Sequence, residues 1–334
     1  MKNIAILGAG FMGNAHIGGY RRNGAKNAQY TAVCDNNREK CDAFAKAHGL
    51  RPYYDLNDLL AGERIDIVDI CLPSQLHVDF SIRVAKAKKH ILLEKPVAFT
   101  MDGAKSIFSA TRENGVRIMI AQVIRFWPEY QKIREVIRSG EIGDVVTVYA
   151  ARLGQMPTWG DWYKDPKVSG ETLFNLTIHD IDYLHHLFGE PESVYSAGTK
   201  DKMDNYNDVM NIFKFRNGTN AIVDGSLSMT PGYPFTMHMR ALGTKGTLEY
   251  IFKAGENIGP DAKGSLVKYL PGKVAETLDV PQYDGYGKEI EYFVDCIERG
   301  VDTETCNEPS VLLVLNSLLK AKESLLGGMV CKFP

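Results

Sequence analysis

A lysine stands where an apolar strand should still be burying side chains. His90 to Thr100 reads HILLEKPVAFT, so Ile91, Leu92 and Leu93 are followed at once by Glu94, Lys95 and Pro96. An ammonium beside a core is costly unless it has a partner or a task. Glu94 is a ready partner, and a Glu–Lys pair at a sheet edge can be purely structural. Pro96 removes one N–H and biases the residue before it toward an extended backbone, which aims the Lys95 side chain. A second set lies in SGETLFNLTIHDIDYLHHLFG, where Asn175, His179, Asp182 and His186 follow one another at intervals of four, three and four. On a helix that spacing puts them on one face. Three readings are open for this set. They can be satisfied polar residues in a core. They can be a metal site of His179, Asp182 and His186, although side chains on successive turns rarely converge without a ligand from elsewhere. Or His179 is a general acid or base, the commonest choice for moving a proton near neutral pH. The expectation is the last, with no metal.

The elements that must position these residues begin at the first strand. NIAILGAGFMGNAHIGGYRRNG reads as strand, glycine turn and helix, with Gly8, Gly10 and Gly13 in the spacing G-x-G-x-x-G. The first glycine allows a tight turn, the second lets a pyrophosphate approach the backbone, and the third lets helix and strand pack closely. A second apolar run, AQYTAVCD, ends in Asp35, close to where a carboxylate would accept the ribose hydroxyls of NAD. Its charge repels a 2′-phosphate and favours NAD over NADP, while nearby Arg38 could act in the opposite sense. Further βαβ alternation through IDIVDICLPSQLH and HILLEKP predicts a parallel sheet with helices on both faces. Ligands in that architecture bind beyond the carboxyl ends of the strands, where CLPSQLH and EKP both fall. The cofactor side is therefore expected to take in Gly8, Gly10, Phe11, Met12, Gly13, Asp35, Asn36, Leu72, Pro73, Ser74, His77, Glu94 and Lys95.

From about Val123 the pattern changes. DVVTVYAARLG, ESVYSAGTK, DVMNIFKFRNG, TNAIVDGSLSM and FTMHMRALGTKGTLEYIF are alternating, turn-bounded strands, followed by late helices in GYGKEIEYFVDCIERG and SVLLVLNSLLKAKESLLGG. Successive hairpins predict a mostly antiparallel sheet. The expected organisation is an α/β chain: an NAD(P)-binding doubly wound domain over residues 1–122, and a substrate-binding and oligomerisation α/β domain with an open sheet over 123–334. A substrate would lie between two such halves.

The whole chain is compatible with this. Its 334 residues suggest about two domains, and 44% hydrophobic residues suffice for two cores. A formal charge of −2 with interspersed signs gives no basic patch for nucleic acid and no acidic tail, so small neutral or weakly charged ligands are the natural partners. The apolar opening is broken by glycine after Leu7, too early for a signal peptide, and no run reaches membrane-spanning length. Six cysteines show no C-x-x-C pair and are expected to be buried reduced thiols. The expected location is the cytoplasm.

GAGFMG, CLPSQLH, EKP and TLFNLTIHDIDYL, in this order, resemble the glucose-fructose oxidoreductase, inositol dehydrogenase and rhizopine-catabolism family of NAD(P)-dependent oxidoreductases. The resemblance extends through RFWPEY and the late GYGKEIEYFVDCI and so covers essentially the whole chain. It implies a Rossmann domain, an α/β domain whose open sheet often mediates dimers or tetramers, and hydride transfer between nicotinamide C4 and a carbon bearing a hydroxyl on a sugar, inositol or related polyol. By the same resemblance Lys95 would bind the reacting substrate and help position the nicotinamide, and His179 would take the hydroxyl proton. Arg125, Asp182 and Tyr233 would contact other hydroxyls, and Gln122 and Trp162 would lie near the cofactor. One position departs: relatives of the inositol dehydrogenase type carry aspartate where this chain has Asn175. Asparagine can orient an imidazole but cannot stabilise its charged form, so His179 is expected to be a weaker base, with Lys95 taking more of the proton transfer. Two other functions remain open: an enzyme that keeps NAD bound and uses transient oxidation for glycoside cleavage or sugar–sugar exchange, and a sugar-binding regulator without catalysis.

Overall fold

The structure is a computed structural model that describes residues 1–157, 165–255 and 262–334. Strand and helix alternate through the first third: β1 (Lys2–Leu7), α1 (Phe11–Asn23), β2 (Ala28–Cys34), α2 (Arg38–His48), β3 (Arg51–Tyr53), α3 (Leu56–Gly62), β4 (Ile67–Ile70), α4 (His77–Lys86), β5 (His90–Glu94), α5 (Met101–Glu113) and β6 (Ile118–Ala121). The strands form a six-stranded sheet in the order β3-β2-β1-β4-β5-β6, all parallel. Helices cover both faces, so the central strands are apolar in both directions: Ile4 to Leu7, Ile67, Val68, and Ile91 to Leu93 are all buried. The expected doubly wound sheet is present. Strand order reverses between β1 and β4, the place where such sheets bind ligands.

The second sheet is reached through α6 (Pro128–Ser139), β7 (Val145–Leu153), α7 (Pro166–Ser169), a π-helical segment (Leu173–Thr177) and α8 (Ile178–Phe188). Strands β8 (Pro191–Lys200), β9 (Tyr206–Phe215), β10 (Asn220–Ser226), β11 (Phe235–Gly243), β12 (Thr247–Ala254), β13 (Lys263–Tyr269) and β14 (Glu276–Thr277) follow, then α9 (Gly285–Arg299), α10 (Glu308–Gly327) and β15 (Cys331–Lys332). The nine strands run β14-β13-β12-β11-β7-β10-β9-β8-β15, antiparallel except for the β7–β10 pair. Strict alternation in β9 sends Val209, Phe213 and Phe215 inward and Asp208, Met210, Ile212 and Lys214 outward.

The chain divides differently from the expected 1–122 and 123–334. One compact unit is Met1–Trp127 with Gln282–Leu312, the other Pro128–Pro281 with Leu313–Pro334. The difference has a physical cause in α9, whose Ile290, Phe293, Val294 and Ile297 complete the core formed by Ile4, Leu92, Met119 and Phe126. Asp284 caps α9 through the N–H groups of Tyr286 (2.9 Å) and Gly287 (3.2 Å) and also accepts from Arg22 at the end of α1. Among the described residues no helix is long and apolar enough to cross a membrane.

Candidate active site

The glycine loop joins β1 to α1 at the switch point. Gly8 has φ +111°, and a Cβ there would lie 2.5 Å from the Cys71 carbonyl oxygen; a Cβ on Gly13 would lie 2.5 Å from the carbonyl of Gly8. Around Gly10, in contrast, a Cβ would meet nothing within 4 Å, and α1 starts there without a side-chain cap. The loop is thus tight where backbone passes backbone and open where helical N–H groups point outward, a cradle for a diphosphate. The Asp35 carboxylate sits beside it, accepting from the N–H of Ala9 (2.9 Å) and of Asn37 (2.8 Å). Phe11 and Asn36 are exposed and Met12 is half-buried along the same rim. Arg38 stacks on the Tyr54 ring, its guanidinium carbon 4.1 Å from the centroid. These residues fit a nicotinamide dinucleotide: an open helix start for phosphate and an acid for the ribose.

At the ends of β4 and β5 the two motifs are tied to each other. Leu72 and Pro73 lead into a tight turn, Ser74–Leu76, and Ser74 is buried. His77 is buried, with Nδ1 2.7 Å from the Pro96 carbonyl and Nε2 2.9 Å from that of Leu72. Burial pushes this imidazole below its ordinary value, against the pull of the two carbonyls. Its connections run to the two loop backbones. Lys95 is half-buried, and the Lys95–Pro96 bond is cis.

Behind Lys95 lies a buried group that sequence reasoning missed. His16 of α1 bridges two strands: Nδ1 is 3.0 Å from the Asp69 carboxylate and Nε2 3.0 Å from Glu94 Oε1. Tyr30 donates to Asp69 Oδ2 at 2.6 Å, and the Cys71 thiol lies 3.6 Å from Asp69 Oδ1. The other Glu94 oxygen accepts the Lys95 backbone N–H at 3.0 Å. Burial alone would lower the His16 ring, but Asp69 and Cys71 hold it well above its ordinary value. Burial also pushes the Cys71 thiol up. His16, Asp69 and Cys71 offer ligand atoms within 4.8 Å of one another, yet those atoms are already hydrogen-bonded among themselves. One signal was available: Asp69 is an acid inside the otherwise apolar run IVDIC.

Gln122 follows β6, buried, its carbonyl accepting the Arg125 N–H at 3.0 Å. Arg125 is buried too; its guanidinium donates to the Thr305 carbonyl and to Ser310 Oγ (3.4 Å), within the same unit. Trp162 lies outside the described residues.

In the second unit the expected helix is present over 171–188 and widens into one π-helical turn, Leu173–Thr177. Gly170 (φ +70°) and Glu171 (φ +60°) separate α7 from the π-helical turn that carries Asn175, and α8 follows with His179, Asp182 and His186. Such wider turns occur often at functional sites. Asn175, His179 and His186 are half-buried and Asp182 is buried. Helix α8 is anchored by another pair that sequence reasoning missed: Arg152 of β7 forks onto Asp180, Nε to Oδ2 at 2.9 Å and Nη2 to Oδ1 at 3.1 Å, both buried. Asp180 therefore faces the sheet while its neighbour His179 does not share that pairing. Tyr233 lies in the loop before β11, where its carbonyl accepts from Gln155 at 3.0 Å.

Two family models match this chain in succession. The first, described as an oxidoreductase family with an NAD-binding Rossmann fold, covers residues 2–122, and the second, the GFO/IDH/MocA C-terminal domain, covers 130–249. The chain belongs to the GFO/IDH/MocA oxidoreductase family. It is an NAD(P)-dependent oxidoreductase, and the cradle at Gly8–Gly13 fits the dinucleotide. Among curated relatives, the inositol 2-dehydrogenase of Rhizobium meliloti is 28% identical over 90% of this chain and 89% of its own length. The D-xylose 1-dehydrogenase (NADP(+)) 2 of Haloferax volcanii is 28% identical over 86% of this chain and 87% of its own. The solved structure of an aldose-aldose oxidoreductase from Caulobacter crescentus superposes with a TM-score of 0.87 over 99% of each chain; at 20% identity that likeness is one of fold.

Proposed function

We propose that this chain is an NAD-preferring dehydrogenase that interconverts a secondary alcohol and a ketone on a sugar, an inositol or a related polyol. The observation that carries this reading is the pairing of an open dinucleotide cradle, with Asp35 beside it, and a lysine held by its backbone at the end of β5 in the same unit. NAD supplies the hydride acceptor when bound. Lys95 donates a hydrogen bond to the reacting hydroxyl oxygen, and a fixed ammonium there stabilises the negative charge that grows as the proton leaves. His179 takes that proton through a ring nitrogen. Asn175 can orient the imidazole but adds no charge, so the Lys95 ammonium carries more of the charge stabilisation. Asp182, Arg125 and Tyr233 contribute polar groups to the remaining hydroxyls, and Gln122 and the residues from Leu72 to His77 shape the cofactor side.

The working form is an oligomer of this chain. Register puts Tyr195, Met210, Ile212, Ile222, Leu242, Ile251 and Tyr269 on one face of the nine-stranded sheet, all exposed in the single chain. The six cysteines are thiols rather than disulfides, in keeping with the reducing cytoplasm.

The test is reduction of NAD, with NADP in parallel, by myo-inositol, D-xylose, D-glucose and their sugar acids, repeated with Lys95→Ala and His179→Ala. Turnover of one polyol with NAD, falling about 10²- to 10⁴-fold in each variant, supports the proposal. Tight NADH binding with no turnover on any of them, or turnover that both variants retain, sinks it.

A further inference from the structure

Both ring nitrogens of His16 face carboxylates, and this limits the charge of the site. A neutral imidazole has one N–H and one lone pair, so with both Asp69 and Glu94 ionised one nitrogen would oppose a carboxylate oxygen at 3.0 Å. The site is buried, with His16 and Asp69 fully inaccessible and Glu94 4% exposed, so water cannot relieve that opposition. A ring protonated on both nitrogens donates to each. The acceptor sites around it are then matched: Asp69 takes His16 and Tyr30, with the Cys71 thiol nearby, and Glu94 takes His16 and the backbone N–H of Lys95. The titratable groups gathered around the ring come from several elements: Tyr30 from β2, Asp69 from β4, Cys71 just beyond it, Glu94 from β5 and Tyr286 from α9, whose ring centroid is 5.5 Å from that of His16.

We propose that His16 is a positioning residue for Lys95. As an imidazolium it clamps the Glu94 carboxylate between α1 and β5, and the second oxygen of that carboxylate fixes the Lys95 backbone and so the origin of its side chain. Remove the charge and Glu94 becomes a buried carboxylate that has lost the imidazole donor and keeps only the Lys95 N–H, so it must turn elsewhere and release that N–H. The inference rests on the reading of Lys95 as a residue beside the nicotinamide. It adds that the helix which starts the cofactor cradle also sets the lysine, so α1 acts at both ends of one site.

Two measurements test this without a known substrate. In protein labelled with ¹⁵N-histidine, both ring nitrogens of His16 are expected to be protonated at pH 7, and an unprotonated nitrogen there overturns the charged bridge. Labelling of Lys95 by trinitrobenzenesulfonate, read by mass spectrometry, is expected to rise at least threefold in His16→Gln and in Glu94→Gln. Lys88 and Lys89, just before the opposite end of β5, are the internal controls: a rise confined to Lys95 reports lost positioning, whereas an unchanged Lys95 rate in a folded variant overturns the proposal. If His16→Gln fails to fold, Glu94→Gln carries the test, because it leaves His16, Asp69 and Tyr30 in place. NADH added to the native protein is expected to protect Lys95. Absent protection defeats the placement of Lys95 beside the cofactor, and with it the functional meaning of the clamp, while protection together with unchanged variants defeats the clamp alone.

Discussion

The departure at Asn175 makes a testable statement about a single side chain. It lies in the π-helical turn one step before His179, and an aspartate in its place would add a negative charge near the imidazole. An adjacent anion stabilises the imidazolium, so Asn175→Asp should raise the histidine's pKa and move the acid limb of the kcat/KM profile to higher pH. Initial rates between pH 5 and 9 read this directly, and a profile that does not move contradicts the role given to Asn175. Asp35 offers a second case. Its carboxylate is held by two backbone N–H groups at the rim of the cradle. Asp35→Ser removes the charged acceptor for a ribose hydroxyl and the repulsion of a 2′-phosphate, so NADH should bind about tenfold or more weakly and NADPH more tightly. Fluorescence titration with both nucleotides checks it, and equal losses for both would mean that Asp35 only shapes the loop. Arg38 stacks on Tyr54 and keeps its charge and N–H edges, so in Asp35→Ser it is the cation at hand for the 2′-phosphate of NADPH.

At the level of elements, the positions that sequence made legible are those whose chemistry is local. Gly8, Gly10 and Gly13, the Asp35 strand end and the EKP turn each arise within a few residues, and all fall where βαβ alternation predicted. His16, Asp69 and Glu94 were not legible as a group because they are 53 and 78 residues apart in the chain and meet only after three strands have paired. The same applies to α9: its amphipathic face was plain, but nothing local says that the core it completes is the first and not the second. The π-helical turn escaped because a spacing of four reads alike on either kind of helix. Arg152 and Asp180 show what such non-local pairs do for an element. Their fork fixes the roll of α8 on the sheet and hence the face that His179 presents. Breaking a buried pair leaves one charge uncompensated, at a cost of about 3–5 kcal/mol, whereas apolar replacement of both is often neutral or better. Asp180→Leu should therefore lower stability to urea strongly, and Arg152→Met with Asp180→Leu should recover much of it. If the double variant is as weak as the single, the pair is not what anchors the helix.

For the whole molecule, the second sheet poses a problem that one chain does not solve. Its inner face is closed by α8 and the core, but its outer face carries seven large apolar or aromatic side chains spread over β8 to β13. A monomer seldom exposes a contiguous apolar patch beyond a few hundred Å², and larger ones mark interaction surfaces. The face is not uniformly apolar: Tyr149 donates to Asp224 at 3.0 Å and His238 meets Glu249 at 2.9 Å, so the strip is divided by polar pairs already satisfied within the chain. Such a surface suits an isologous partner, since a two-fold axis crossing the sheet brings apolar strips together while those pairs keep their own partners. Sedimentation at micromolar concentration should give at least twice the mass of one chain. Met210→Lys with Ile212→Lys, both pointing outward from β9, should shift it to the mass of a single chain with unchanged circular dichroism. A native chain that sediments as a monomer removes the oligomer from the proposed function, and an oligomer indifferent to the two lysines moves the interface off the β9 strip. Neither result touches the observation that carries the dehydrogenase reading, because the cradle and Lys95 belong to the first unit and the outer face to the second.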